Sequence, residues 1–142
     1  MLIMLLPDQI PMFWNEIKYA ISKSYLSSDR LLDYFNHMLV DLLNSKSQCF
    51  FRIDNERQLN AVVITSFMAD SLTDNKTLLI SHVYSFKATN DNEWRDNLAT
   101  IVDYARNTGC VKIVIHTNND RALELSSMLG FSECYRCLCL NI

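Results

Sequence analysis

The densest cluster of chemistry-bearing side chains is Cys134-x-x-Cys137-x-Cys139. Thiolates at this spacing can ligate zinc, but a structural zinc needs four ligands, commonly from two such pairs. Only one Cys-x-x-Cys pair is present, with no histidine near it in sequence. On a strand Cys137 and Cys139 share a face and Cys134 points to the other. The spacing therefore favours cysteines packed as small hydrophobes, and no metal is expected. His82 and His116 fall on neighbouring central strands, where a histidine pair can act as a general base or hold a metal; two satisfied sheet histidines are the plainer expectation. His37 sits in a helix beside Asn36, near Asp41, and is expected in solvent. Cys49 and Cys110 have no cationic neighbourhood beyond Lys112, so both are expected inert. No Gly-x-Ser-x-Gly, Walker loop, His-Glu-x-x-His or calcium loop occurs. Only two glycines occur in 142 residues, which argues against a glycine-rich phosphate cradle anywhere.

The elements that must position such groups are clearest in residues 77–131. Leu78, Leu79, Ile80, Val83 and Phe86 form an apolar run of strand length. Trp94, Leu98, Ile101, Val102 and Ala105 then fall at i, i+4, i+7, i+8 and i+11, one face of a helix. Asn90, Asp91, Asn92 and Glu93 suit its capped, electropositive start, and Gly109 suits its end. Val111, Ile113 and Ile115 mark a short buried strand, so this region reads as a right-handed βαβ unit with parallel strands. Asn118, Asn119 and Asp120 can cap a second helix, from Arg121 to about Leu129, ended by Gly130. Residues 134–142 then return as a last strand.

These residues carry a resemblance. Ala105 to Cys110, Lys112 to His116, Asn119 to Ala122 and Leu129 to Phe131 together resemble the C-terminal half of the GNAT superfamily of N-acetyltransferases. The resemblance implies an α/β (α+β) fold and, in active members, an acetyl-CoA site. There, an Arg/Gln-x-x-Gly-x-Gly/Ala loop opens the long helix and cradles the pyrophosphate on backbone N–H groups. The corresponding residues here are Thr89, Asn90, Asp91, Asn92, Glu93 and Trp94, with no glycine and two carboxylates. Like charges about 4 Å apart repel by roughly 1 kcal/mol in water, and by several-fold more near a protein surface. This segment reads instead as a self-capped helix start with an aromatic anchor. The family's general-acid tyrosine, five residues before Phe131, is replaced by Ser126. If an acyltransferase persists, acyl-CoA would bind through the splay between the third and fourth sheet strands. Ser126 or Tyr135 would then serve as acid, and His82 or Glu93 as base.

The first half of the chain agrees in element order. Residues 1–6 suit a first strand, and Pro7 and Asp8 a turn or helix start. Trp14, Ile17, Ile21 and Tyr25 mark an amphipathic helix over 11–24. Ser27, Ser28 and Asp29 suit a second cap, and Leu31, Leu32, Phe35, Leu39, Leu42 and Leu43 a second helix to about Asn44. Residues 48–53 and 59–68 are strands joined at Asp54-Asn55-Glu56-Arg57, a hairpin signal. A further strand at 77–86 follows a polar connection over 70–76. The whole predicts one domain, 1–142: a mixed sheet of about six or seven strands, an antiparallel meander plus the βαβ unit, with helices on both faces.

Net charge is −3, with 13 basic and 16 acidic residues well mixed, so no nucleic-acid groove is expected. Residues 1–6 are too short for a membrane span and lack the charged start of a signal peptide, and five cysteines without such a signal fit a reducing compartment. Phe50-Phe51 and Ala61-Val62-Val63-Ile64-Thr65, with the Trp-bearing helix before them, resemble GNAT-like proteins of tailed bacteriophages, some of which travel in the particle. That resemblance implies a non-catalytic, protein-binding or structural component. It would use no cofactor, and its place would be the host cytoplasm or the virion. Its partners would be other virion proteins or copies of itself. Met12, Phe13, Trp14, Tyr19 and Tyr25 would suit such an interface.

Overall fold

The computed structural model describes residues 1–24, 30–69, 72–117 and 119–142. The expected cap at Ser27, Ser28 and Asp29, the stripe position Tyr25, and the loop positions Asp70 and Asn118 lie outside the described residues.

The order is β1 (Leu2–Met4), α1 (Trp14–Ser24), α2 (Leu31–Leu43), β2 (Ser47–Ile53), β3 (Leu59–Ala69), β4 (Lys76–Ser85), α3 (Asp91–Asn107), β5 (Lys112–Ile115) and α4 (Asp120–Met128). Pro7 and Pro11 each open a short 3-10 turn, so α1 begins at Trp14 rather than at residue 11. Proline fits these first positions because no hydrogen bond is asked of its nitrogen there. The sheet runs β1-β2-β3-β4-β5, antiparallel throughout except for the parallel β4–β5 pair, as the βαβ reading requires. At the β2–β3 turn, Asp54 Oδ1 accepts from the backbone N–H groups of Glu56 and Gln58, and Arg57 takes a left-handed φ of 60°.

Strand alternation divides the core between two faces. Cys49, Phe51, Val62 and Ile64 meet Ile17, Ile21, Met38 and Leu42 of α1 and α2. Phe50, Val63, Leu78 and Ile80 meet Ile101 and Ala105 of α3. Helices therefore cover both faces. Each fully buried aliphatic or aromatic side chain is worth about 1.5–3 kcal/mol of transfer free energy.

Three further expectations change. The sheet has five strands among the described residues, because 134–142 form no strand. Cys134, Cys137 and Cys139 are exposed free thiols rather than core. The alternation there records what the tail can bury, but in the lone chain no edge meets it. In α3 the buried line is Asn97, Ile101 and Ala105, with Leu98 and Val102 at the flank. Arg52 of β2 partners the polar residue on that line. Its Nη1 donates to Asn97 Oδ1 and to Asp96 Oδ2, each at 2.8 Å, drawing the polar Asn97 inward.

Candidate functional site

The site begins with a fault in the ladder. Ile64 pairs with His82 but Thr65 pairs with Ile80, so Ser81 is an extra residue in β4. Such bulges bend a strand and re-aim its side chains. β5 pairs β4 only from Thr77 to Ile80, and the remainder of β4 continues without it. The sheet thus opens between β4 and β5 at the bulge. Counted from β2 these are the third and fourth strands; counted from β1, the fourth and fifth. β3 and β4 stay paired throughout.

The bulge turns Ser81 and His82 toward α2. Ser81 Oγ donates to the carbonyl of Ile64 at 3.2 Å, and His82 Nδ1 lies 3.0 Å from the same Oγ. With that hydroxyl proton committed, Nδ1–H donates to Oγ, and Nε2 accepts from the Tyr34 hydroxyl at 3.0 Å. The result is a directed chain from Tyr34 through His82 and Ser81 to the backbone. Burial alone pushes the His82 pKa down to about 4, so the ring is neutral at pH 7 and a weak base. His82 is thus a satisfied sheet histidine, buried, and its two partners Tyr34 and Ser81 line a groove.

That groove, of about 680 Å³, runs between α2 and strands β3 and β4. Its lining is mostly apolar, with Met38, Phe67 and Leu79, and Asp41, Lys46 and Ser81 bring polar groups of both charge signs to it. His37 is exposed, as expected.

His116 does not join His82. It follows the end of β5, the edge strand rather than a central one, and its Nε2 lies 2.9 Å from the Tyr135 hydroxyl. Each histidine thus takes its own tyrosine. Among the described residues no three His, Cys, Asp or Glu side chains gather as a metal site. Ser126 is half-buried on α4, where its carbonyl accepts from the Phe131 N–H. Cys49 is buried among apolar side chains, which push its thiol pKa far up; inertness is the consequence.

The α3 start is closed by its own residues. Asn90 Oδ1 accepts from the Glu93 N–H at 2.9 Å, and Glu93 Oε2 accepts from the Asn90 N–H at 3.0 Å, a reciprocal capping box. Asp91 is 3.9 Å from Arg121, Asn92 is exposed, and Trp94 is half-buried. Thr89 donates to the Lys87 carbonyl at 3.2 Å. A pyrophosphate at this end would compete with the Glu93 carboxylate for the same donors and face Asp91 besides. These residues do not fit the phosphate end of acetyl-CoA. Glu93, spent on its cap, is also not placed as a base.

Tyr34, Ser81 and Arg52 belong to the site and its frame but were not foreseen. Tyr34 reads as one more aromatic on an amphipathic helix, and nothing local announces a bulge at Ser81. The adjacent Ser-His pair on a strand was the only available signal.

No family model and no curated protein matches the chain. Solved structures do. A ribosomal-protein-alanine N-acetyltransferase from Brucella melitensis superposes with TM-score 0.72 at 12% identity, covering 100% of this chain and 99% of that one. A predicted acetyltransferase from Clostridium acetobutylicum, solved with acetyl-CoA, gives 0.76 at 15%, over 99% and 95%. An aminoglycoside antibiotic 6'-N-acetyltransferase from Acinetobacter baumannii gives 0.75 at 9%, over 100% and 97%. With the strand order, the bulged β4 and the opening beside it, this likeness establishes that the chain has the GNAT acetyltransferase fold.

Proposed function

We propose that this GNAT-fold chain works by binding a protein partner rather than by acetyl transfer, as a structural or adaptor component. The capping box at the head of α3 carries this reading. Asn90 and Glu93 occupy each other's N–H groups, two of the donors at the helix head, and the carboxylates of Asp91 and Glu93 add negative charge there. The groove under α2 and the exposed apolar residues of the chain are then contact surfaces. Of the expected interface residues, Phe13 and Trp14 pack against the core, which leaves Met12 and Tyr19 exposed. A place in a bacteriophage particle is part of the proposal and rests on the sequence resemblance alone.

A divergent acyl-CoA-dependent N-acyltransferase is the second reading, and the structural comparisons favour it over the first. Its specific observation is the opening between β4 and β5, beside which lie the Tyr34–His82–Ser81 chain and the His116–Tyr135 pair. Of the candidate acids and bases, Tyr135 is exposed and bonded to His116, His82 is buried and a weak base, Ser126 is half-buried on α4, and Glu93 is held in the cap.

Thermal melting with and without acetyl-CoA separates the two. Ligand at ~100 times its dissociation constant stabilises the fold by about 2.7 kcal/mol, several degrees of Tm. No shift at millimolar acetyl-CoA is expected. A clear rise would overturn the binding reading and direct work to amine substrates.

A further inference from the structure

Cys134, Cys137 and Cys139 are exposed free thiols in one short stretch of chain, whereas Cys49 is buried. Cysteine is among the side chains most often buried, and where it does not pack, its reactivity is what it offers. Among the described residues 134–142 form no strand, so no ladder holds their backbone extended. The chain there is free to turn. Side chains three apart already meet in it: Arg136 Nε donates to Glu133 Oε1 at 2.7 Å. A β-turn brings Cα atoms three apart to within about 7 Å, and a disulfide asks for about 4.4–6.8 Å. Cys134 and Cys137 stand at that spacing. Cys137 and Cys139, two apart, do not.

The middle of this segment is anchored. Tyr135 lies between the two thiols, and its hydroxyl is 2.9 Å from His116 Nε2, with the two rings edge to face at 6.2 Å. His116 follows β5, so the Cys-x-x-Cys segment sits at the end of the edge strand, beside the opening of the sheet. The open dithiol holds Tyr135 on His116. The turn that a disulfide needs redirects the second residue of the turn, which is Tyr135.

We propose that Cys134 and Cys137 are a redox pair, and that the reversible disulfide between them draws Tyr135 off His116. The oxidant is a low-molecular-weight disulfide of the glutathione type. One cysteine gives its proton to solvent, and its thiolate attacks a sulfur of that disulfide. A mixed disulfide forms and the first small thiol leaves. The thiolate of the other cysteine then attacks the protein sulfur of the mixed disulfide, closing the internal S–S bond and releasing the second small thiol. Two protein thiols are oxidised, and one disulfide is reduced to two thiols. In a reducing compartment such a bond is transient and follows the redox poise.

The test treats the full native chain with oxidised glutathione, then alkylates it under denaturing conditions for mass spectrometry. The chain is expected about 2 Da lighter than its reduced form, with Cys134 linked to Cys137, Cys139 alkylated, and the loss reversed by dithiothreitol. Cys139→Ser is expected to keep the disulfide. Cys134→Ser and Cys137→Ser are each expected to stop at the mixed disulfide. The His116 ring signals in NMR are expected to shift on oxidation of the native chain and to stay in place in Cys134→Ser/Cys137→Ser. A native chain that stops at the mixed disulfide overturns the proposal, as does a disulfide that uses Cys139 or joins two chains. Oxidised protein with unmoved His116 signals overturns it equally.

Discussion

His82 is neutral in the folded chain because it is buried, which penalises the charged ring. Its pKa falls from the ordinary 6.5 to about 4. Between those values the unfolded chain binds a proton that the folded chain refuses. The stability present above pH 6.5 is therefore lost as pH falls toward 4, by about 3 kcal/mol in all at 1.36 kcal/mol per unit. Urea midpoints are expected to fall steadily from pH 6.5 to 5, and His82→Gln to flatten that slope. An unchanged slope in the variant would remove His82 as its source. The cysteines divide in the same way by surroundings. Cys134, Cys137 and Cys139 are expected to react with a thiol reagent in the native protein, and Cys49 only after unfolding, as mass spectrometry of the labelled chain would show.

At the scale of elements, α3 was the most legible piece. Its cap residues, its length and its glycine stop all stand in the sequence, because capping and helix termination are local chemistry. Asn90→Ala is expected to cost about 1 kcal/mol, or roughly 3 °C of Tm, while Asn92→Ala, exposed in the first turn, should cost far less. Equal losses would mean that the capping box does not hold the helix. The rotation of α3 was not legible. Apolar spacing pointed to Leu98 and Val102, and the turn toward Asn97 depends on Arg52, forty-five residues earlier in the chain. The bulge at Ser81 was hidden for the same reason: register is a relation between two strands, and the Ser81-His82 pair looks the same in a regular strand.

For the whole molecule, the two cores meet only through the sheet. Ile21→Ala removes a side chain from the face under α1 and α2, and Ile101→Ala one from the face under α3. Each is expected to cost about 2–4 kcal/mol, and the double variant close to the sum, since the two share no neighbour in these clusters. Chemical denaturation of the three variants would check this, and a strong departure from additivity would mean that the sheet transmits strain between faces.

The sequence by itself determined the element order, the parallel pair within a largely antiparallel sheet, the cover on both faces, and the absence of glycine from the head of α3. All of these follow from side-chain period and from capping chemistry within one or two turns. Tertiary structure decided which histidine meets which tyrosine, where the sheet opens, and that the apolar tail pairs with no strand among the described residues. Those outcomes depend on register and on the meeting of distant segments, which a periodic pattern permits but does not select.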